Sequence, residues 1–391
     1  MNRRILAPEI QNFIKDHENH DPFALALKYQ EIAGVSAREV ALQIQSKQKA
    51  NRKLPEWSAA EGLVYPSPLA MEQCSSETTA RYKANLVRGQ SLIDLTGGAG
   101  VDAYYFSKKI ARVVYVERDP QLVETANHNF KTLQARNIET ICATAEEYLA
   151  KSGPFDWIYL DPSRRTERKV FRMQDSEPNV SSLLPSIFQK TSNALLKLSP
   201  LMDIDLAIKE LAGVCQTHVV SVNGECKETL YVLKRDFEEE PEIFAVNLKP
   251  GTEEILRFKR SDEKNAPLVL GEAAAYLYEP NASILKSGAF KLVSSAYDVE
   301  KLHQHSHLYT SNLLIPNFPG RKFKVEAVLP YDKKAIKRRF QRQKSHVVSR
   351  NFPLSVSQIR SAMGIKEGGE SYLFFTASMH NRKIVIVGNP V

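Results

Sequence analysis

The sequence predicts an α/β fold, a doubly wound parallel sheet of seven strands preceded by a helical domain and followed by α+β modules. Three observations carry this expectation. Between residues 91 and 235, short apolar runs alternate with helical stretches. One run passes directly into a glycine-rich turn, Asp94-Leu95-Thr96-Gly97-Gly98-Ala99-Gly100. Finally, residues 321–350 hold eleven Lys and Arg against two acids, a local charge of +9, whereas the remainder of the chain sums to −1.

At 391 residues the chain is long enough for two or three domains of roughly 150 residues each. With 43% hydrophobic and 25% charged residues it reads as globular, without repeats or low-complexity tracts. No apolar run approaches the ~18 residues a bilayer span needs, and Met1-Asn2-Arg3-Arg4-Ile5 lacks a signal-type stretch. The expected location is cytoplasmic. Cys74, Cys142, Cys215 and Cys226 are widely separated and show no Cys-x-x-Cys spacing, which argues against a disulfide framework or a structural zinc site.

Residues 1–70 read as a helical domain. Asp21-Pro22 supplies a capping carboxylate and a proline for the first helical position, and Ser36 with Glu39 has capping-box spacing. Phe23, Leu25, Ala26 and Ile32 follow a helical period, and Gly34 offers a stop. A second domain is expected over 71–240. A helix near 75–83 leads into strands at Leu92–Leu95, Val113–Val116, Glu139–Cys142, Trp157–Leu160, Ala194–Leu198 and Val219–Val222. Helical stretches between them imply parallel pairing with helices on both faces. The seventh strand, Thr229–Leu233, follows Val222 after too short a link for a parallel crossover, so that pair should form an antiparallel hairpin.

Beyond residue 240 a different architecture is expected. Phe244–Leu248 and Glu254–Phe258 form a hairpin through Pro250-Gly251 and open a 241–318 domain that continues strand, helix, strand. The 319–391 domain reads as strand, basic helix from about Asp332 to Lys344, strand, short helix from Ser355, and a terminal hairpin. On the basic helix Lys334, Lys337, Arg338, Arg342 and Lys344 should share one face, with Ile336 and Phe340 buried opposite. Such a face suits phosphate contacts, which anchor nucleic acid without reading its sequence.

The glycine turn formally fits the dinucleotide pattern G-x-G-x-x-A through Gly98, Gly100 and Ala103, with Glu117 near the place of a ribose-binding acid. Its neighbours favour another ligand. Asp94 inside the strand and Asp102 in the following helix would repel a pyrophosphate, whereas a cationic methionine moiety would be attracted. The strand at 157–160 ends in Asp161-Pro162-Ser163-Arg164-Arg165, at the sheet edge where open α/β folds bind ligands.

Through Asp94–Gly100, Val116-Glu117-Arg118-Asp119 and Asp161-Pro162 the chain resembles class I S-adenosylmethionine-dependent methyltransferases, with a seven-stranded Rossmann-like domain. Three further stretches resemble the bacterial branch that carries a ferredoxin-like domain and a C-terminal THUMP-like domain: Ser76–Tyr82, Leu160–Arg165 and Phe318-Pro319-Gly320-Arg321-Lys322. The resemblance implies S-adenosylmethionine as cofactor and an RNA substrate, rRNA or tRNA. It implies that Gly97, Gly98 and Gly100 pass under the methyl donor, that Asp94 holds its amino end, and that Glu117 accepts the ribose hydroxyls. Adenine would lie near Thr144 and Ala145, although the family often has an acid at the place of Thr144.

Methyl transfer from a sulfonium mainly requires a positioned, desolvated nucleophile. In amino-directed relatives an Asp/Asn-Pro-Pro-aromatic segment orients an exocyclic amine. Here Asp161 and Pro162 match, Ser163 replaces a proline and Arg164 an aromatic. Arg164 and Arg165 can instead stack on bases or pair with phosphates. Methylation at pyrimidine carbon 5 needs a cysteine nucleophile, and Lys197-Leu198-Ser199-Pro200 after the fifth strand provides none, which favours a nitrogen or a ribose oxygen over a cysteine-dependent carbon as the target. Cys226 reads as structural. His303, His305 and His307 alternate as if along a strand, but no fourth ligand accompanies them and no metal is assigned. The alternatives are a methyltransferase of a protein or small molecule, an NAD(P)-dependent oxidoreductase, and a non-catalytic RNA-binding protein.

Overall fold

The computed structural model describes residues 2–164, 173 and 176–391. The chain divides into two compact units, residues 1–215 with 230–239 and residues 216–229 with 240–391. No helix among the described residues is long and apolar enough to cross a membrane.

The first unit begins with helices Pro8–Asp16, Pro22–Lys28 and Ala37–Lys53. Asp21 caps the second of these, its carboxylate accepting the Phe23 N–H, and Pro22 occupies the first turn where its missing N–H costs nothing. The expected capping box at Ser36 does not form. Ser36 ends a two-residue strand paired with Glu31, and the Glu39 carboxylate instead accepts from the Asn2 side chain. Ile32 lies in that small hairpin rather than on a helix, and Gly34, with φ +79°, turns it. Ile10, Val40, Ile44 and Val64 close the helices around a shared apolar core.

Next come β1 (Ser91–Asp94), β2 (Arg112–Glu117), β3 (Ile138–Cys142), β4 (Trp157–Leu160) and β5 (Asn193–Leu198). They pair in parallel in the order β5-β4-β1-β2-β3. Their residues are apolar in continuous runs because helices cover both faces. Ile93, Val114, Ile158 and Leu196 form the core with Leu149, Val180 and Ile187 from those helices. Because β4, β1 and β2 are parallel neighbours joined by helical crossovers, their C-terminal ends lie side by side at one sheet edge.

The expected hairpin is present as β6 (Val214–Val222) and β7 (Glu225–Lys234), and the division between units falls within it. Asn223 (φ +51°) and Gly224 (φ +82°) form its two-residue turn, the left-handed pair that matches the twist of flanking strands.

In the second unit, β8 (Glu242–Lys249) and β9 (Thr252–Lys259) are antiparallel. β8 pairs in parallel with β6 from Gln216↔Glu242 to Val222↔Leu248, and Phe244 stacks on the buried His218 with ring centroids 4.5 Å apart. A mixed sheet follows, made of β10 (Tyr276–Pro280), β11 (Glu300–Lys301), β12 (Tyr309–Ser311), β13 (Gly320–Pro330), β14 (His346–Ser349), β15 (Tyr372–Ala377) and β16 (Lys383–Pro390). Its order is β11-β12-β10-β13-β16-β15-β14. Helices Lys333–Phe340 and Val356–Met363 bury Ile336, Phe340, Ile359 and Met363 against the strands of its C-terminal half.

Ile336 is 2% exposed and is one of two apolar residues that hold the basic helix down. Ile336→Ala is expected to cost about 2–5 kcal/mol in urea-induced unfolding of this unit.

Candidate active site

The glycine turn leaves β1 at Asp94 and enters helix Val101–Ser107. Its glycines are required by the protein itself. A Cβ on Gly97 would stand 2.2 Å from the Tyr115 ring, and one on Gly100 would stand 2.7 Å from Phe130. A Cβ on Gly98 would meet nothing tighter than an ordinary contact with the Thr96 carbonyl at 3.8 Å, but its φ of +53° is one that side chains rarely adopt. The turn is tied to β2, because the Gly97 N–H donates to the Val116 carbonyl (2.8 Å) and the Tyr115 hydroxyl donates to the Gly98 carbonyl (2.7 Å).

Glu117, at the end of β2, accepts the Gly98 N–H through Oε2 and the Asp119 N–H through Oε1, both at 2.9 Å. The side chain thus fastens the turn from the position the sequence assigns to ribose binding. Thr144 and Ala145 begin helix Ala145–Lys151, with Thr144 and Glu147 forming a capping box and Ala145 buried.

Three carboxylates gather near the ends of β1 and β4. Asp94 is 1% exposed and accepts the Thr96 N–H at 3.0 Å and the Thr96 hydroxyl at 3.4 Å. Burial drives its carboxyl well above the usual range, the Thr96 bonds oppose this, and the charges of Asp102 and Asp161 add to the rise. Among the described residues no cation pairs with Asp94.

Asp102 is different. The fully buried Lys83 ammonium lies 3.0 Å from its Oδ1, while the Ser75 and Tyr159 hydroxyls donate to Oδ2, each at 2.8 Å. Burial pushes its carboxyl up, but Lys83, Lys197 and Tyr159 outweigh it and the net shift is downward. Asp102 is therefore a neutralised structural anchor. The sequence argument that its charge repels phosphate loses force, and that argument rests on Asp94.

Asp161 pairs with the Lys197 ammonium from β5, and its N–H donates to the Thr96 hydroxyl at 2.6 Å. Thr96 thus joins Asp94 to Asp161. Pro162 is buried. Ser163-Arg164 pairs with Ser176-Glu177 as a two-residue antiparallel ribbon, and Glu177 is ion-paired with Arg118. Arg165 lies outside the described residues. Lys83, Ser75, Thr96, Tyr159 and Lys197 are the functional neighbours that sequence reasoning missed. A lone lysine in the apolar run Ala194–Leu198 was the one available signal, since an ammonium there needs a partner.

The basic helix is shorter than expected, Lys333–Phe340, capped by Asp332 accepting the Ala335 N–H at 2.7 Å. Lys334, Lys337 and Arg338 are exposed on it, as expected. Arg342 and Lys344 are exposed but lie past its end. The chain turns at Arg342 (φ +66°), whose N–H donates to the Gly364 carbonyl at 2.8 Å. The histidine row is not a strand. His303 is buried, donating to Asn381 Oδ1 (2.7 Å) and accepting from Asn351 Nδ2 (2.9 Å) and the His305 N–H (3.0 Å), while His307 stacks on Phe290. Cys226 sits half-buried in β7, where burial pushes its thiol up to about 11, far from nucleophilic.

Asp94 gives a measurable signature. A carboxyl raised in the folded state costs nothing below its unfolded value, about 3.9. The cost grows as pH rises toward the folded value and is complete above it. Ligand-free Asp94→Asn should therefore melt a few degrees above wild type at pH 8, with the gap closing near pH 4, in differential scanning calorimetry.

Known proteins resemble the chain along its length. Residues 76–175 match the profile described as conserved hypothetical protein 95, residues 276–319 a ferredoxin-like domain, and residues 320–390 a THUMP domain-like profile. The crystal structure of a candidate methyltransferase from Porphyromonas gingivalis W83 is 31% identical, with a TM-score of 0.88 over 100% of this chain and 99% of that one. A curated relative from Sulfolobus acidocaldarius, named "Probable cobalt-precorrin-6B C(15)-methyltransferase (decarboxylating)", is 29% identical over 114 residues, spanning 28% of this chain and 59% of that protein. Full-length likeness to the first at 31% identity means that the chain belongs to the same methyltransferase family, here with a ferredoxin-like domain at 276–319 and a THUMP domain-like one at 320–390.

Proposed function

We propose that the protein is an S-adenosylmethionine-dependent methyltransferase acting on a base nitrogen, or on ribose, of structured RNA such as rRNA or tRNA. The observation that carries the cofactor is Asp94, a buried carboxylate under the charges of Asp102 and Asp161 and bonded, among the described residues, to Thr96 alone. A cationic ligand relieves that arrangement and a pyrophosphate aggravates it. Asp94 holds the amino end, and Gly97, Gly98 and Gly100 line the approach. Glu117 still has lone pairs for ribose hydroxyls beyond the two N–H groups it accepts. Thr144 and Ala145 border the adenine.

When bound, the methyl donor supplies an electrophilic methyl carbon on sulfur. The chain's task is to place and dry the nucleophile. Asp161, fixed by Lys197 and Thr96, presents an acceptor for an N–H or O–H of the target, and Pro162 shapes the floor beside it. Arg164 and Arg165 follow directly in sequence and are assigned to the RNA. Lys334, Lys337 and Arg338, with Arg342 and Lys344 beyond the helix, anchor phosphates. A small-molecule substrate is the second reading, favoured by the curated relative's name, and the basic module weighs against it.

S-adenosylhomocysteine should raise the melting temperature by several degrees while NADH leaves it unchanged; stabilisation by NADH alone overturns the cofactor assignment. Replacing Lys337, Arg338 and Arg342 by alanine should weaken binding to a structured RNA and reduce its log–log salt slope by about 2 to 3, read by fluorescence anisotropy. An unchanged slope removes the anchoring role.

A further inference from the structure

We propose that Lys197 sets the charge of this site so that it takes a ligand of net charge +1 in preference to its uncharged counterpart, which for the function proposed above means methyl donor over demethylated product. The inference rests on that functional reading.

The groups concerned form one cluster. Asp102 is matched by Lys83, and Asp161 by Lys197, whose side chain is only 13% exposed. Lys197 also acts on Asp102, and both Asp102 and Asp161 act on Asp94. Among the described residues the cluster holds three carboxylates, Asp94, Asp102 and Asp161, and two ammonium groups. With Asp94 ionised it is one positive charge short. Asp94, the member without a cation, is also the most deeply buried of the three.

S-adenosylmethionine carries an ammonium, a carboxylate and a sulfonium, for a net charge of +1. S-adenosylhomocysteine lacks the sulfonium and is net neutral. Both bring an ammonium to Asp94, but the first makes cluster and ligand together neutral, whereas the second leaves them one negative charge in excess in a poorly solvated site. Lys197 limits the size of this preference. Without it the site would be two charges short and would hold the cation harder, and without the charge of Asp161 the deficit would vanish. The two substitutions should therefore act in opposite directions, although each breaks the same ion pair. A lysine needed only to hold β4 and β5 in place would move both ratios the same way.

The test is isothermal titration calorimetry with three probes: S-adenosylmethionine, S-adenosylhomocysteine, and sinefungin, which bears an ammonium in place of the sulfonium. Wild type should bind both cationic probes about tenfold tighter than S-adenosylhomocysteine. Lys197→Met should widen that ratio by about a further tenfold, Asp161→Asn should bring it close to one, and Lys197→Arg should keep the wild-type ratio. If Lys197→Met fails to fold, Asp161→Asn and Lys197→Arg read the same quantity. A ratio that stays fixed or narrows in Lys197→Met, or is unmoved in Asp161→Asn, overturns the role of Lys197 while leaving the methyl-donor reading intact. Failure of all three probes to bind wild type overturns both.

Discussion

The buried pair of Lys83 and Asp102 is the constraint around which the first unit's site is arranged. Lys83 comes from the helix that precedes β1, Asp102 from the helix that follows the glycine turn, and the Tyr159 hydroxyl that completes the cluster comes from β4. Three elements are thus locked together beneath the turn. Removing either charge leaves the opposite buried charge without its ion-pair counterpart here, a loss of about 3–5 kcal/mol in comparable cases. The same pairing removes Asp102 from the site's unpaired charge and leaves Asp94 to define what can bind.

The turn itself is held by a second set of contacts that share no residue with the first. Glu117 grips the Gly98 N–H, Tyr115 grips its carbonyl, and Val116 receives the Gly97 N–H. All three belong to β2. The site is therefore pre-formed by neighbouring strands rather than by loops alone, which is why its residues can be widely separated in sequence yet converge at one sheet edge.

Much of this was readable from residues. The parallel strands announce themselves because both faces are covered and the apolar runs are unbroken. The hairpin of β6 and β7 follows from a link too short to be anything else. Other features were hidden for identifiable reasons. The capping box at Ser36 has the right spacing, but Ser36 is already engaged in a strand pair and Asn2 claims Glu39. Lys344 continues a helical charge pattern, yet the backbone has turned at Arg342 before reaching it. The alternation of His303, His305 and His307 mimics a strand, while His303 is in fact the hub of a buried hydrogen-bond cluster whose partners lie 48 and 78 residues away. Partners far apart in sequence, like Lys83 for Asp102, leave no local pattern, and the lone lysine in the run of β5 points only to a need for some partner, not to Asp161.

The aromatic residues behind the glycine turn carry a consequence for how such chains vary over evolution. Gly97 is small because Tyr115 occupies the space, and Gly100 because Phe130 does. The motif is thus half of a lock whose other half sits on β2 and on the helix after it. A descendant that shrank Tyr115 would tolerate alanine at 97, though it would lose the hydroxyl that steadies Gly98. One that kept the ring could not. Drift at Gly97 should consequently track the size of residue 115, whereas Gly100 is held by its φ of +81° as well as by Phe130, so that paired changes at 97 and 115, rather than strict identity of the turn, would mark chains that keep the same cradle.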